Sequence, residues 1–209
     1  MSRIKATIAV GTVLTAVVAL APSPGQALTT FTVTKTADTA DGACDSDCSL
    51  REAIVAANTA AGPDTIVVPP GTYVRSIAGT GEDLTVDGDL DILQDVEIIG
   101  DGAPQTVIEG DGTETGERVI HVVSGATLTM SDVTITRGFA GTGGNDGGGL
   151  SINGTLVLRR AIVAGNHADD FGGGIDNDSE GISLLEHAII AGNDADDEGG
   201  GLGLDGPMT

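Results

Sequence analysis

A short repeat in the second half of the chain is the sequence feature that most constrains its fold. Three segments align without gaps: "TLTMSDVTITRG" (127–138), "TLVLRRAIVAGN" (155–166) and "ISLLEHAIIAGN" (182–193). Alternation within each segment has the two-residue period of a β-strand. One coil per repeat, stacked at ~4.8 Å, predicts a parallel β-solenoid. Its inward columns are predicted to be Leu128, Leu156 and Ser183; Met130, Leu158 and Leu185; and Ile135, Val163 and Ile190.

Glycine triplets recur in phase with these segments, as "GGGL" (147–150), "GGGI" (172–175) and "GGGL" (199–202). Glycine in a flexible linker would have no reason to keep this phase, so we expect corners at which each coil turns toward its next strand. Asn166 and Asn193 also share a column, and we expect the side-chain amide of one to hydrogen bond the next coil. The chain has only three Phe, one Tyr and no Trp, which suits thin aliphatic layers.

Residues 1–27 are expected to be a secretory signal peptide. Arg3 and Lys5 precede the apolar run "IAVGTVLTAVVALA", and "GQA" supplies small residues before a cut after Ala27. A transmembrane anchor is the less favoured alternative, because the run is short and polar sequence follows it. This interpretation places the mature chain outside the cell or on the cell surface.

The charge of the chain is strongly negative. There are 31 acidic and 9 basic residues, which gives a net charge of −22. Removal of Arg3 and Lys5 leaves 9 − 2 = 7 basic residues and a net charge of −24. Nucleic acids and anionic lipids would be repelled by such a chain. A solvated acidic surface is the simplest interpretation, and cations are the only partners that the charge suggests.

Cys44 and Cys48 are predicted to form a local disulfide. The pair is isolated in the sequence, and an oxidising compartment favours its closure. A structural zinc site would need four ligands, and no histidine lies near these two thiols in the sequence.

A short helix is predicted directly after Cys48. Ser49 and Glu52 form an S-x-x-E capping box, and apolar residues follow at helical spacing. Because so short a helix is not stable alone, its apolar face is expected to cover the end of the sheet stack. We therefore predict a strand and helical cap over residues 28–62 and solenoid coils over 63–209. The residues that define the cap are Ser49, Leu50, Arg51 and Glu52.

Two sequence resemblances agree with this organisation. The stretch "CSLREAI", with "AAN" shortly after it and "DTIVVPPGTY" downstream, resembles the N-terminal signature of CSLREA-domain proteins. The stretches "GNHADDFGGGI" and "GNDADDEGGGL" resemble repeats of polymorphic outer-membrane and adhesin-like proteins. Together these resemblances imply an all-β, right-handed, single-stranded parallel β-helix of the pectin-lyase-like type in a bacterial secreted or surface protein. They imply a structural or adhesive module, with a cap that shields the first coil from edge pairing.

Acidic residues align in the corners of the last two coils. Asp169 aligns with Asp196 and Asp170 with Asp197, so carboxylates of successive coils are expected about 5 Å apart, near the separation in retaining glycosidases. These four residues and Glu198 are candidate calcium ligands, although a solvated corner loop explains them as well. A polysaccharide-binding or polysaccharide-cleaving enzyme is therefore the alternative to a structural module, and a calcium-stabilised scaffold is a second alternative. The candidate partner is a glycan or another cell-surface ligand, and no cofactor other than calcium is expected.

The remaining polar motifs give weaker signals. His121, His167 and His187 share no repeat column and no metal-ligand spacing, so they are expected to be ordinary surface or turn residues. The stretch "DGDLD" (87–91) begins like a calcium loop but lacks the glycine and glutamate that an EF-hand requires.

The C-terminal residues resemble the start of another repeat. "GGGLGLDGPMT" overlays "GGGLSINGTLV" and places Met208 in the column of Leu156. We expect the sequence to stop within a coil, as a truncated chain would. An open last coil would be able to self-associate.

Overall fold

The computed structural model describes residues 28–79, 81, 83–112, 117–141 and 146–204. The predicted signal peptide (1–27) and Met208 lie outside these residues. In chain order the helix and strands are β1 (Thr30–Thr32), α1 (Leu50–Thr59), β2 (Asp64–Val67), β3 (Gly71–Val74), β4 (Leu90–Ile92), β5 (Val96–Ile99), β6 (Thr106–Glu109), β7 (Ile120–Val122), β8 (Thr127–Ser131), β9 (Thr134–Thr136), β10 (Phe139–Ala140), β11 (Leu150–Ile152), β12 (Thr155–Arg159), β13 (Ile162–Ala164), β14 (His167–Ala168), β15 (Ile175–Asn177), β16 (Ile182–Glu186), β17 (Ile189–Ala191), β18 (Asp194–Ala195) and β19 (Leu202–Leu204).

These strands form four parallel sheets that run along the length of the molecule. The first sheet has the order β1-β2-β5-β8-β12-β16, and the second has the order β3-β6-β9-β13-β17. The third has the order β4-β7-β11-β15-β19, and the short fourth has the order β10-β14-β18. Strands that are adjacent in a sheet come from successive coils, so the predicted parallel β-solenoid is confirmed.

The register of the last three coils is the one that the repeat predicts. Thr127 pairs with Thr155 and Thr155 with Ile182, which are the first residues of the three aligned segments. The three predicted columns all pair as aligned, and their members in the first two of these coils are completely buried. The earlier coils are longer, since Asp64 pairs with Val96 and Val96 pairs with Leu128 in the same sheet.

The glycine triplets lie at corners, directly before β11, β15 and β19. The first glycine of each triplet has a positive φ, as at Gly147 with +74°. The second glycine of the first two triplets has no space for a side chain: a Cβ on Gly173, for example, would collide with the carbonyl oxygen of Asp194 in the next coil. Both left-handed backbone and close coil stacking therefore require glycine here.

Helix α1 packs against β1, β2 and β4 and closes the N-terminal end of the stack. The capping box is present: Ser49 Oγ accepts a hydrogen bond from Glu52 N, and Glu52 Oε2 accepts one from Ser49 N. Ala53, Ile54 and Ala57, on the inner face of the helix, are fully buried. The predicted disulfide between Cys44 and Cys48 is confirmed just before the helix. Within the described part of the chain, no helix is long and apolar enough to cross a membrane.

Candidate functional site

A column of polar side chains lies on the outer face of the third sheet. Its strands β4, β7 and β11 are short, and the first and last residues of each are apolar and buried in the core. The middle residue of each strand therefore points outward. Register pairing stacks Asp91 of β4, His121 of β7 and Ser151 of β11 in one column.

His121 is the centre of a hydrogen-bonded chain that crosses several coils. Its Nδ1 lies 3.1 Å from Asp91 Oδ1, and its Nε2 lies 2.8 Å from Asn153 Oδ1. Asn153 Nδ2 donates in turn to Asp178 Oδ2, which fixes the orientation of the amide. Nε2 must therefore carry a proton, because it faces an oxygen that can only accept. Burial alone would lower the pKa of His121, but the hydrogen bonds to Asp91 and Asn153 and the charge of Asp89 together outweigh it, and the pKa is raised.

The carboxylate of Asp91 is held in place by the loop that precedes β4. Thr85 N donates to Asp91 Oδ2 at 2.9 Å, and the backbone groups of Asp91 are both hydrogen bonded to Thr85 Oγ1. The same loop brings Asp83 Oδ1 to 3.4 Å from His121 Nδ1. Potential ligand atoms of Asp83, Asp91 and His121 all lie within 4.8 Å of one another.

An ion pair lies beneath this column. Arg118 Nε is 2.6 Å from Asp89 Oδ2, and the Asp89 side chain is completely buried. Burial raises the pKa of Asp89 to about 7, although the charge of Arg118 acts in the opposite direction. Because Asp89 has no access to solvent, it can influence the column through its charge but cannot touch a soluble substrate.

The predicted carboxylates of the corner loops come together only in part. Asp169 Oδ1 and Asp196 Oδ1 lie 3.5 and 3.9 Å from Nε2 of His167, and these three residues form a second group of potential metal ligands. The His167 ring also stacks on Phe139, with ring centroids 5.0 Å apart. Other predicted calcium ligands are not part of this group, namely Asp170, Asp197 and Glu198.

The expectation that the histidines are ordinary surface or turn residues is wrong for His121, which is buried in a polar column. It is also incomplete for His167, which is half-buried among carboxylates. His187 is exposed and has a φ of +56°, as expected for a turn. The missed signal is the apolar-polar-apolar pattern of "LDI" (90–92) and "IHV" (120–122), which places Asp91 and His121 on one face.

Asn166 and Asn193 form a ladder between two coils. Asn193 Oδ1 accepts hydrogen bonds from both the backbone N and Nδ2 of Asn166, each at 3.0 Å. Nδ2 of Asn193 donates to Val163 O, and Oδ1 of Asn166 accepts from Gly138 N. Each amide therefore satisfies backbone groups at the corner that follows the second sheet.

Arg51 of the predicted cap signature is completely buried. Its guanidinium donates to both carboxylate oxygens of Asp38 and to backbone oxygens in the loop before β4. This contact joins helix α1 to the loop that also positions Asp83 and Thr85.

The outer face of the second sheet differs from the rest of this acidic molecule because it is nearly uncharged. In its two outward columns, Glu109 alone is charged. The first column consists of Thr72, Val107, Thr134, Ile162 and Ile189, and the second of Val74, Glu109, Thr136, Ala164 and Ala191.

Comparison of the chain with protein-family models, with curated proteins and with solved structures found no significant match.

Proposed function

We propose that this protein is a secreted or cell-surface structural module that adheres to an extended polymer, of which a glycan is the leading candidate. The observation that carries the proposal is the flat, nearly uncharged outer face of the second sheet, which we call the adhesive face. A parallel solenoid repeats side chains every ~4.8 Å along such a face, so an extended ligand can make the same contact on each coil.

The side chains of the adhesive face suit contact with a neutral surface. Ile189 is 57% exposed and Val74 is 36% exposed, although both side chains are apolar. Threonine hydroxyls at positions 72, 134 and 136 add hydrogen-bonding groups between these apolar side chains. The half-buried Val107 and Ile162 lie on strands between those of Val74 and Ile189, so apolar side chains recur along the face. The secretory signal and the CSLREA-like signature expected from the sequence support the same proposal.

The test is retention of the purified protein on insoluble polysaccharides and bacterial cell-wall material. Ile162→Glu introduces a charge at the centre of the adhesive face, and we expect it to remove most of the retention. Val157→Glu is the matched control, since Val157 is equally half-buried and lies on the outer face of the first sheet in the same coil. Both variants should melt alike.

Three outcomes would count against the proposal. Failure of the unmodified protein to bind any of these materials would overturn adhesion. Equal loss of binding in both variants would overturn the assignment to the second sheet. Release of unsaturated sugar ends from an acidic polysaccharide would favour the enzymatic alternative.

A cation-stabilised scaffold is a second candidate, favoured by the group of His167, Asp169 and Asp196. A cation bound there would join two coils and raise the melting temperature by mass action. We expect added calcium to stabilise the protein and Asp196→Asn to remove the effect, with the exposed Asp101→Asn as control. A melting temperature that does not respond to calcium would eliminate this candidate.

A further inference from the structure

We propose that His121, Asp91 and Asp83 bind a divalent transition-metal ion such as Zn²⁺ on the outer face of the third sheet. This site is separate from the adhesive face and from the corner group, so it goes beyond the proposed function. The inference depends on the spacing of the three donor atoms and on the contacts that orient two of them.

Two of the three separations between donor atoms are those that one small ion requires, and the third is at most 4.8 Å. His121 Nδ1 lies 3.1 Å from Asp91 Oδ1 and 3.4 Å from Asp83 Oδ1. Bonds of about 2.1 Å to nitrogen and oxygen separate neighbouring donors by about 3.0 Å in octahedral and about 3.4 Å in tetrahedral geometry. Both observed separations fit this range. In the corner group the corresponding separations from His167 are 3.5 and 3.9 Å, which are longer.

The orientation of the imidazole is that of a metal ligand. Histidine ligands usually donate their other ring N–H to an oxygen acceptor, which fixes the tautomer and aims the lone pair at the ion. His121 Nε2 makes such a contact with Asn153 Oδ1, and Asp178 holds the Asn153 amide in the required orientation. Nδ1 of His121 then faces the two carboxylates.

The carboxylate of Asp91 is oriented in the same way. Its Oδ2 accepts a hydrogen bond from Thr85 N, so that Oδ1 is left to face His121. Asp91 and His121 come from successive coils, and Asp83 comes from the loop that covers them. The site is thus assembled from three parts of the fold that are each fixed by other contacts.

Access and charge also favour a cation. The Asp83 side chain is 67% exposed, whereas Asp91 is fully buried and His121 nearly so, so an ion can enter from the side of Asp83 and keep water on that side. Asp89 and Arg118 pair with each other nearby, so the negative charge of the site comes from Asp83 and Asp91. Imidazole nitrogen and carboxylate oxygen are both usual ligands of zinc-class ions.

The experiment is titration of the chelator-treated full chain with Zn²⁺ by calorimetry, and with Co²⁺ by visible absorption. We expect one tight ion per chain. Asp83→Asn, an exposed substitution that leaves the fold intact, should weaken binding at least tenfold. Asn153→Ser should weaken it about 10- to 100-fold through the lost orientation of His121. His167→Gln in the corner group is the matched control and should leave the affinity unchanged.

Each contrary outcome overturns the inference. If the unmodified chain binds neither ion, the three residues do not form a metal site. If His167→Gln abolishes binding and Asp83→Asn does not, the ion belongs to the corner group. Equal affinities for the Asp83→Asn variant and the unmodified chain would show that the exposed carboxylate is not a ligand, and the proposed site would be wrong.

Discussion

Replacement of Arg51 by methionine, which is also unbranched near the backbone but carries no charge, is expected to destabilise the protein severely. Arg51 has no solvent exposure, and its Nε and Nη2 donate to the two carboxylate oxygens of Asp38 at 2.8 and 3.2 Å. Nη2 also donates to Gly88 O at 2.9 Å, and Nη1 donates to Thr85 O and Asp89 O at 3.2 Å each. Methionine is shorter and has no side-chain N–H group, so it would satisfy none of these oxygens.

The expected loss of unfolding free energy follows from the buried groups that Arg51→Met leaves without a partner. Removal of one partner of a buried ion pair typically costs about 3–5 kcal/mol, because the remaining charge stays buried. Asp38 would keep its hydrogen bonds from Ser76 N and Ile77 N, which places the cost within this range rather than above it. With a urea dependence of about 2 kcal/mol/M, the unfolding midpoint of Arg51→Met should fall by about 1.5–2.5 M.

The assay is urea unfolding at pH 7, followed by circular dichroism. Arg160→Met is the matched control, because Arg160 also pairs with an aspartate, Asp132, but its side chain is 57% exposed. An exposed pair contributes about 1 kcal/mol or less, so the control midpoint should move little. Arg51→Met and Arg160→Met should therefore differ clearly in their midpoints.

A double-mutant cycle separates the orphaned charge from the lost packing. Arg51→Met/Asp38→Asn removes the charge that methionine leaves behind, so it should be less destabilised than the sum of the two single variants. The reasoning would be refuted if Arg51→Met behaved like the exposed control. Strict additivity of the two single variants would refute it as well, since it would show that Arg51 and Asp38 do not interact.

Three further perturbations test other contacts of the fold. Burial alone would raise the pKa of Glu52, but backbone and hydroxyl hydrogen bonds outweigh it and lower the pKa from 4.5 to about 2. The free energy of unfolding should therefore fall as the pH drops from about 4.5 toward 2. Glu52→Gln should weaken this pH dependence, which a pH series of urea titrations would measure. Asn193→Ala removes the acceptor of two Asn166 hydrogen bonds and should cost about 1–3 kcal/mol, so an unchanged thermal melt would contradict the ladder. Reduction of the Cys44–Cys48 disulfide opens a small loop and should cost about 2 kcal/mol, which melting with and without reductant would measure.

The repeat predicts the later coils correctly because their length is nearly constant. Equal spacing puts equivalent side chains in one column, and apolar columns such as Ile135, Val163 and Ile190 then become visible in the sequence. The first coils are longer, as the pairing of Asp64 with Val96 in the first sheet shows. This change of period hides the first coils from an alignment based on the later ones.

The polar column was not predictable from residue types alone, because its members differ from coil to coil. Asp91, His121 and Ser151 share a register position but no chemistry that a repeat alignment would match. The burial of Arg51 was hidden for a related reason. A charged residue in the first turn of a helix ordinarily faces solvent, and only the path of the following loop supplies the carbonyl oxygens that enclose it.

The buried charges of the described chain are concentrated at its N-terminal end, and this distribution has a physical reason. Apolar columns hold the later coils together, but they give little directional preference to the segment that covers the first coil. A buried ion pair adds little net stability compared with apolar packing, yet it strongly penalises every arrangement that separates its partners. We infer that the Arg51–Asp38 and Asp89–Arg118 pairs select one position for the cap and its loop. Helix α1 packs against β1, β2 and β4, so we expect a correctly placed cap to keep these first strands from pairing with another chain.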